Sequence, residues 1–417
     1  MAAFDPASRD EIANRYESIQ KKQRASVVPT TRATRDSNWE NWLHFCVKYD
    51  LDPLLSYDDS TRITILCLYA DYTRDGTHSR SNKPVRAPSV WSALLAIAER
   101  ITLLDRPDPR NLSGSNLVAA RLDKLVQAYE KEDPAPKRKL PASAFMLRAM
   151  PTTLSRFYHG DQLEAIVDLC VIAFFFLCRA GEYCRTVALN RHLEEGHPFR
   201  LQDVVFITPG GNRLPAATAP LNDLKNSTGV HLTFSDQKNA VKGETIGHTK
   251  TNDPFLCPHR AVLRRVIHMR ENNMGPTTPL YTFINAKNQV KTVSGDMITK
   301  ALKESAKATY NQHGIDPSLI STHSLRSGGA TSLLCANVDA TTIRLIGRWK
   351  SDAMLQYLRT QTAAITHDLS NRMVHSSAIS FTQHKIQPTD PTIPIAICQA
   401  IEHHFSAAWG TRGAPVA

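Results

Sequence analysis

Apolar residues in the first 130 or so positions recur with the period of an α-helix. The clearest stripe is Trp39, Leu43 and Cys46, at i, i+4 and i+7 of a helix predicted over residues 31–49. Because no convincing strand pattern interrupts this part of the chain, residues 1–130 are predicted to form an all-helical domain. Further helices are predicted over residues 8–23, after Asp58-Asp59-Ser60, from near Pro88, and over residues 115–130.

The helical pattern stops at residues 131–140, KEDPAPKRKL, which are rich in proline and charge and have no apolar period. Such a composition is typical of a linker between two domains. The basic cluster inside it, Lys137, Arg138 and Lys139, suits contact with phosphates or a role in nuclear import. It fits a solvated linker equally well, and the sequence leaves both interpretations open.

Residues 141–375 combine helical periods with a short β-rich patch. LQDVVFI (201–207) and VHLTFS (230–235) have β-branched and aromatic character, and a turn-rich segment (236–244) leads from the second of them into TIGHT (245–249). This pattern predicts a small antiparallel sheet with a hairpin around 236–244. Helices are predicted over residues 142–150, 161–178, 257–272, 294–310, 324–336, 339–347 and 351–359.

The predicted fold class is therefore mainly α: an all-helical N-terminal domain, then an α+β domain with a small antiparallel sheet. Residues 376–417 are predicted to be a tail that is irregular at first. Near its end, one face of a short helix carries Ile397, Ile401, Phe405 and Ala408. That face is a candidate surface for docking on a second protomer.

The charge balance favours a polyanionic partner. Lysine and arginine outnumber aspartate and glutamate by 50 to 39, which gives a formal charge of +11, and each phosphate that such a surface neutralises releases condensed counterions. The eight cysteines show no C-x-x-C spacing and are predicted to be reduced core residues of a cytosolic or nuclear protein. The most apolar run, residues 165–178, contains Asp168 and is too short to span a bilayer, so it is predicted to be a buried helix.

Breaking a DNA phosphodiester without a metal needs a nucleophile, cations on the non-bridging oxygens, a proton acceptor and an acid for the leaving oxygen. Neither a metal-binding carboxylate cluster nor an H-E-x-x-H pattern is evident in the sequence. The segment STHSLRSGGATSLL places His323 and Arg326 three residues apart, on one face of a helix start. The small residues Ser327 to Ala330 that follow allow backbone or ligand to approach closely. By itself, a histidine and an arginine three residues apart also fit two surface side chains without a catalytic role.

Two other segments carry residues whose ordinary roles are structural. In FLCRAGEY, Arg179 directly follows an apolar run and Glu182 stands three residues further on. A buried arginine is costly unless it is paired or binds an anion, so an Arg179–Glu182 ion pair is the plain alternative to a phosphate site. In IRLIGRWKSDAMLQYLR, Trp349 precedes Tyr357 by eight residues, and both could be core aromatics.

The order of these residues is more specific than any one of them. An arginine, a hairpin lysine, His-x-x-Arg, a tryptophan and a tyrosine follow one another over about 180 residues. In this order, and in the segments LCRAGEY, THSLRSGGAT and GRWKSDAMLQYL, residues 141–375 resemble the catalytic domain of the tyrosine recombinase (phage integrase) superfamily. The helical region ahead of them is similar, less specifically, to the family's core-binding domain. The last two segments look most like recombinases of eukaryotic mobile elements of the Crypton or DIRS type.

The resemblance implies a role for each matching residue. Tyr357 would attack the scissile phosphate and keep it as a 3′-phosphotyrosine. Arg179 and Arg326 would hold the non-bridging oxygens, which the guanidinium fork suits well. His323 would assist proton transfer. Glu182 would orient His323 or the arginines from behind the site.

Two positions depart from the family's common pattern or leave a choice. Trp349 stands where the family often has histidine, and its indole N–H donates one hydrogen bond but does not titrate. The interval from Trp349 to the tyrosine is also one residue shorter than is common. The acid for the leaving 5′-oxygen would be Lys238 in the predicted hairpin turn, with Lys225, Lys242 and Lys250 as alternatives.

The implied activity is that of a site-specific recombinase or transposase that acts on double-stranded DNA without metal, ATP or other cofactor. The implied assembly is a tetramer on two duplexes, nuclear if the source is eukaryotic and cytoplasmic otherwise, with no membrane partner. The alternatives are a domesticated, non-catalytic DNA-binding protein that keeps the fold, and a monomeric topoisomerase-like enzyme. Candidate DNA contacts, each equally well a solvated charge, are Arg32, Arg35, Arg80, Lys83, Arg86, Lys137, Arg138 and Lys139.

Overall fold

The computed structural model describes residues 8–27, 29–76, 82–135, 138–186, 198–235, 242–351 and 354–355. The predicted tail helix lies outside the described residues, as does most of the helix predicted over 351–359. The described chain is mainly helical and carries a small antiparallel sheet, which confirms the predicted fold class. In this part of the chain, no helix has the length and apolar character needed to cross a membrane.

The N-terminal region is built from helices, as its apolar periods predict. Asp58 accepts hydrogen bonds from the backbone N–H groups of Ser60 and Thr61, so it caps a helix that begins at Asp59, inside the predicted polar triplet. The helices of this region are α1 (Arg9–Ala25), α2 (Pro29–Tyr49), α3 (Asp59–Asp75), α4 (Ala87–Thr102) and α5 (Ala120–Glu132).

Trp42 lies at the centre of the hydrophobic core of this region. Its ring is fully buried and meets Tyr69 edge to face, with 4.9 Å between ring centroids. Its indole N–H donates to the carbonyl of Pro53 at 3.0 Å, which satisfies the one polar atom of the ring. Cys46 is buried beside it, whereas Trp39 is only half-buried. The buried face of α2 is thus centred on Trp42 and not on the predicted stripe.

The beginning of the predicted linker belongs to this helical region. Helix α5 continues to Glu132, and the carboxylate of Asp133 accepts from Arg74 at 2.5 Å and from the backbone N–H of Ala87 at 2.9 Å. These contacts tie residues 131–133 to α3 and α4. The irregular part of the segment therefore starts later than its composition suggests.

A second, larger hydrophobic core lies in the region after residue 138. Most helices there begin and end within a few residues of their predicted bounds. They are α6 (Ala144–Leu154), α7 (Gly160–Phe175), α8 (Ala180–Tyr183), α9 (Leu221–Lys225), α10 (Pro258–Glu271), α11 (Gly295–Ala308), α12 (Tyr310–His313), α13 (His323–Cys335) and α14 (Ala340–Ile346). The strands are β1 (Val204–Ile207), β2 (Arg213–Pro215), β3 (Gly229–Phe234), β4 (Glu244–Thr249), β5 (Thr282–Ile284) and β6 (Val290–Thr292).

The main sheet has the strand order β2-β1-β3-β4, and all its neighbours are antiparallel. Strands β3 and β4 pair from Gly229↔Thr249 to Phe234↔Glu244, so they are the two arms of the predicted hairpin. The strand predicted over 201–207 was wrong in its first half. Asp203 accepts from the backbone N–H of Arg200 at 2.8 Å, and this cap holds residues 201–203 in a 3₁₀ turn.

Helix α7 is the buried apolar helix that the sequence predicts, but it ends at Phe175 and not at 178. Leu177 has a left-handed backbone, with φ of 48°, and this conformation does not continue a helix. Asp168 inside α7 is buried and accepts from Arg264 Nε at 2.9 Å. The early end of α7 turns the chain so that Arg179 becomes the residue that precedes α8.

The small residues after Arg326 allow α13 to pack backbone against backbone. A Cβ atom at Gly328 would lie 2.0 Å from the carbonyl oxygen of Ala142, and one at Gly329 would lie 2.0 Å from the carbonyl oxygen of Phe174. Larger residues would push α13 away from the end of α7. The close approach brings Arg326 beside Leu177.

Candidate active site

The carbonyl oxygen of Leu177, in the turn that ends α7, accepts hydrogen bonds from two arginines. Arg326 donates to it through Nη1 at 2.6 Å, and Arg348 donates through Nη2 at 3.3 Å. Arg326 comes from α13, and Arg348 comes from the turn that follows α14. A single peptide group thus joins two segments that lie more than twenty residues apart in the sequence.

Glu182 lies between two further guanidinium contacts. One of its oxygens accepts from Arg179 Nη1 at 3.2 Å. The other accepts from the backbone N–H of Arg179 at 2.7 Å and from Arg348 Nη2 at 2.9 Å. The Arg179–Glu182 ion pair considered from sequence is present, and the carboxylate is shared with a second arginine. Among the two predicted roles of Glu182, its described contacts fit the orientation of arginines.

Arg326 lies beneath the ring of Trp349. Its guanidinium carbon is 4.2 Å from the ring centroid, and its Nη2 donates to the carbonyl of Gly347. A Cβ at Gly347 would lie 1.4 Å from the indole ring, so only glycine leaves room for the ring at this point. Arg326 is 1% exposed, and the two backbone carbonyls and the indole fix the plane of its guanidinium.

Arg348 is the site residue that the sequence predictions missed. It has a left-handed backbone, with φ of 58°, and its side chain is fully buried. Besides its contacts with Leu177 and Glu182, it donates to the carbonyls of Phe176 and Ile346, at 3.0 and 3.3 Å, and its guanidinium carbon lies 3.4 Å from the ring centroid of Phe234. The sequence did offer a signal for Arg348, because in IGRW an arginine stands among apolar and aromatic residues. The same reasoning, that a buried arginine needs a partner, had singled out Arg179.

The charged groups of the site surround one buried thiol. Burial raises the pKa of Cys178 far above its usual range, and Glu182 raises it further. Arg348, Arg326 and Arg179 all act on the same thiol in the opposite direction. Two of these guanidinium groups, those of Arg179 and Arg348, contact the carboxylate of Glu182, and the carboxylate of Glu244 also acts on Arg348.

The members of this cluster differ in their access to solvent. The side chain of Arg179 is 27% exposed, whereas that of Arg348 is 0% exposed. Burial lowers the pKa of Arg348, and the neighbouring carboxylate of Glu182 opposes that change. Arg179 is thus more accessible to solvent than Arg348.

His323 is the first residue of α13 and is exposed, one helical turn before the buried Arg326. The preceding residue, Thr322, is held by the hydroxyl of Tyr183, which donates to its carbonyl at 3.2 Å. The predicted His-x-x-Arg spacing therefore does start a helix. It sets an exposed imidazole at the helix end and a guanidinium in the interior.

Tyr357 and Lys238 lie outside the described residues, so their predicted roles remain predictions. The alternative lysines are described: Lys225 ends α9, while Lys242 and Lys250 flank β4, and all three are exposed. Lys242 stands next to the base of the β3–β4 hairpin, where Phe234 pairs with Glu244.

The candidate DNA contacts fall into several groups. Arg35 forms an ion pair with Glu99, and Arg32 donates to the carbonyl of Val27 at 3.1 Å. Lys139 is exposed and donates to the carbonyl of Ser318 at 3.1 Å. Exposed side chains are those of Lys83, Arg86 and Arg138. Arg80 and Lys137 lie beyond the described ranges.

Among solved structures, the chain is similar to the Tn1549 transposon integrase in complex with circular intermediate DNA, at 12% identity over 85% of this chain and 97% of that chain, with a TM-score of 0.45. It is similar to the XerH site-specific recombinase bound to a palindromic difH substrate, at 12% identity over 78% and 72%, with a TM-score of 0.42. A lambda integrase dimer bound to a COC′ core site matches at 14% identity over 83% and 75%, with a TM-score of 0.44.

No protein-family model matches the chain, and no curated protein matches it. At identities and TM-scores this low, the similarity to integrases and recombinases does not by itself assign an activity to the chain. The functional argument therefore depends on the residues of the site.

Proposed function

We propose that this chain is a tyrosine recombinase that cuts and rejoins double-stranded DNA through a covalent 3′-phosphotyrosine. The observation that carries the proposal is the shared carboxylate: Arg179 and Arg348 both contact Glu182, and Arg326 is joined to Arg348 through the carbonyl of Leu177. Guanidinium groups brought together in this way offer several donors, and a phosphate suits guanidinium donors.

The proposed chemistry assigns a task to each group. Tyr357 attacks the phosphorus, the bond to the 5′-oxygen breaks, and Lys238 supplies a proton to that leaving oxygen. Arg179 and Arg326 stabilise the charge that develops on the non-bridging oxygens. The phenol proton of Tyr357 passes to the exposed imidazole of His323, and Trp349 covers the guanidinium of Arg326. Rejoining is the reverse reaction by a free 5′-hydroxyl.

One observation favours a second candidate, a DNA-binding protein that keeps the fold without cutting DNA. Arg326 is 1% exposed, and its terminal nitrogens donate to the carbonyls of Leu177 and Gly347. An arginine held in this way supports the core of a protein even when it meets no substrate. The two candidates differ in whether a covalent adduct with DNA forms.

The finer parts of the proposal concern setting and assembly. Because GRWKSDAMLQYL and THSLRSGGAT resemble segments of Crypton and DIRS recombinases, we assign the chain to a eukaryotic mobile element and to the nucleus. We also propose a tetramer on two duplexes, with the tail helix around Ile397 and Phe405 docked on a neighbouring protomer. A monomeric topoisomerase-like enzyme would share the chemistry but would act on one duplex.

The test uses a duplex with a nick beside the cleavage position, so that the released fragment diffuses away and the adduct accumulates. Since the target is unidentified, a pool of nicked random duplexes serves as substrate, and denaturing gels report the adduct. The wild-type protein should form an adduct, and Tyr357→Phe should form none because the phenol oxygen is the attacking atom. Equal adduct from Tyr357→Phe would refute the nucleophile, and duplex binding without any adduct would establish the second candidate.

A further inference from the structure

Three successive carbonyl groups, those of residues 175–177, accept hydrogen bonds from side chains where α7 ends. The last carbonyls of a helix lack a partner within the helix and need one elsewhere. The carbonyls of residues 176 and 177 accept from the site arginines, Arg348 and Arg326. The carbonyl of Phe175 accepts from His248 Nε2 at 2.9 Å. A histidine of the main sheet thus holds the same turn as two arginines of the site.

His248 lies on the inner face of β4. Side chains alternate along a strand, and in β4 Glu244, Ile246 and His248 are half-buried, whereas the residues between them are exposed. Ile246 packs against the larger hydrophobic core, and the carboxylate of Glu244 acts on Arg348. This face of β4 therefore lies against the interior and brings His248 to the end of α7.

The imidazole of His248 is held by a neighbouring ring as well as by its hydrogen bond. It meets the ring of Phe176 edge to face, with 4.6 Å between ring centroids and 88° between the planes. Because a carbonyl oxygen only accepts, Nε2 carries the proton in the bond to Phe175. Burial lowers the pKa of His248 more than this bond raises it, and His231 lowers it further. At neutral pH the imidazole is therefore an uncharged donor.

The turn that His248 holds also orients the arginines. The carbonyl of Leu177 is only two residues from that of Phe175, and Leu177 has the left-handed backbone described above. Each peptide group is planar, so neighbouring peptide groups in a turn change direction together. A change in the direction of the Phe175 carbonyl would therefore tilt the carbonyls to which Arg326 and Arg348 donate.

We propose that His248 is a positioning residue: by donating to the carbonyl of Phe175 it ties β4 to the end of α7 and so sets the directions of the site arginines. This inference rests on the proposed function, because it assumes that Arg326 meets a phosphate. It adds to the site a histidine that the sequence motifs do not assign. The histidine acts through backbone groups and needs no contact with DNA.

The first test separates the hydrogen bond of His248 from the packing of its ring. His248→Phe keeps an aromatic ring beside Phe176 but removes the donor, whereas His248→Gln keeps an uncharged N–H donor at a similar reach. Adduct formation per folded molecule should slow by up to about 100-fold in His248→Phe, since a small displacement of catalytic groups costs that much. His248→Gln should recover most of the wild-type rate. A phenylalanine variant as fast as wild type, or a glutamine variant as slow as phenylalanine, would overturn the proposal.

His248→Asn covers the case in which the phenylalanine variant does not fold. Its amide is one bond shorter than that of glutamine and stops short of the Phe175 carbonyl, so this variant should be slow, and a wild-type rate would refute the role of the hydrogen bond.

His259→Phe is the matched control. His259 is also buried, its Nε2 lies 2.7 Å from the hydroxyl of Ser227, and its ring meets that of Phe206 edge to face. The control should lose stability but keep the wild-type rate per folded molecule. A loss of rate equal to that of His248→Phe would refute a specific role for His248.

A second readout does not need cleavage. The guanidinium carbon of Arg326 lies 4.2 Å from the ring centroid of Trp349, so a displaced guanidinium changes the magnetic environment of that indole. Protein isotope-labelled at the indole nitrogen of tryptophan reports this by NMR, with Trp349→Phe to assign the signal. The signal should move in His248→Phe and stay in place in His248→Gln and in His259→Phe. A signal that stays in place in His248→Phe would overturn the proposal.

The two readouts separate failure of this inference from failure of the proposed function. If the wild-type protein binds duplex DNA and forms no adduct, strand cleavage is refuted, and the indole signal still decides whether His248 sets Arg326. If the wild-type protein forms the adduct and the signal does not respond to His248→Phe, cleavage stands and the positioning role fails.

Discussion

The number of arginines that contact one carboxylate differs between the N-terminal helical region and the site. Arg62 contacts Asp59 at 2.6 Å, and Arg110 contacts Asp108 at 2.7 Å, so each of these guanidiniums has a carboxylate of its own. At the site, the one carboxylate of Glu182 contacts two arginines, Arg179 and Arg348. The first arrangement gives each guanidinium its own carboxylate, whereas the second shares one carboxylate between two guanidiniums.

Burial alone does not bring two guanidiniums to one carboxylate. Asp168 is buried in α7, and both its carboxylate oxygens accept from Arg264 Nε, at 2.9 and 3.3 Å. In this ion pair, both oxygens of the Asp168 carboxylate face the single guanidinium of Arg264. The comparison teaches that a carboxylate in contact with two guanidiniums, and not burial of the carboxylate, distinguishes the candidate site from this pair.

The largest effect is expected from Arg326→Ala, which removes a guanidinium held between two carbonyls and an indole. Adduct formation should fall by about 10²–10³-fold, because one donor to a developing anionic charge contributes that much. Duplex affinity should change little, since one phosphate contact among many adds little to binding.

Gel measurements of adduct and of duplex binding check this pair of outcomes. Arg270→Ala is the control, because Arg270 also donates to two backbone carbonyls, those of Ala216 and Ala219, at 2.9 and 3.0 Å. Binding that weakens in step with cleavage would contradict the separation of catalysis from affinity.

A smaller effect is expected on folding from Gly329→Ala. The added Cβ would lie 2.0 Å from the carbonyl oxygen of Phe174, so α13 must shift away from the end of α7. We expect a loss of about 3 kcal/mol in the free energy of unfolding, the upper end for an overpacked core. Urea denaturation measures it, and Gly275→Ala, where a Cβ meets open space, should change stability far less. Equal losses would show that backbone contact does not assemble the site.

Titration of Asp168, which pairs with Arg264, should make the free energy of unfolding depend on pH. Burial raises the pKa of Asp168 from 3.8 to about 6, and Arg264 only partly opposes the rise. Because the folded pKa lies above the unfolded one, the contribution of this group is fully present below pH 3.8 and is lost as the pH rises through about 6. The loss amounts to something on the order of 2–3 kcal/mol.

Wild type and Asp168→Asn should be compared by urea denaturation between about pH 4 and 7. Acids with a lowered pKa, such as Asp108, are common to both proteins, so their contributions cancel in the difference. The difference in unfolding free energy should shift with rising pH in favour of the asparagine variant. A difference that does not vary with pH would mean that Arg264 keeps the carboxylate ionised throughout.

The smallest effect is expected from Arg110→Met in the N-terminal region. Its guanidinium pairs with Asp108 and lies 5.2 Å from the ring centroid of Trp91. A partly exposed pair of this kind contributes about 1 kcal/mol at most, so the variant should be slightly less stable. Adduct formation per folded molecule should equal that of wild type. A large loss of cleavage would show that the paired arginines also serve the reaction.

Sequence patterns predicted the helices well where one face of a helix is buried, because that burial imposes its period on the chain. Helix α10 (Pro258–Glu271) and helix α13 (His323–Cys335) each lie within one residue of their predicted ranges at both ends. The end of α7 was not predictable in this way. Leu177 adopts a left-handed conformation that its own side chain disfavours, and the contacts of its carbonyl with two arginines accompany it.

The site was only partly predictable for the same reason. Arg179 and Glu182 are close in sequence, so their pairing follows from spacing. The approach of Arg348 depends on a left-handed turn at 348 and on the packing of separate segments, which no local pattern reports. The short strands β2, β5 and β6 were missed because three residues are too few to show an alternation.

The carbonyl of Leu177 has a consequence for how such a site can change over generations. Since one peptide group orients both Arg326 and Arg348, a substitution that rotates it disturbs both at once. A single substitution at this turn is then not expected to yield a variant in which only one of the two arginines is displaced. Under the proposed function, new target preferences would therefore arise by mutation of surfaces outside the site, while the arginines joined at Leu177 would be inherited together.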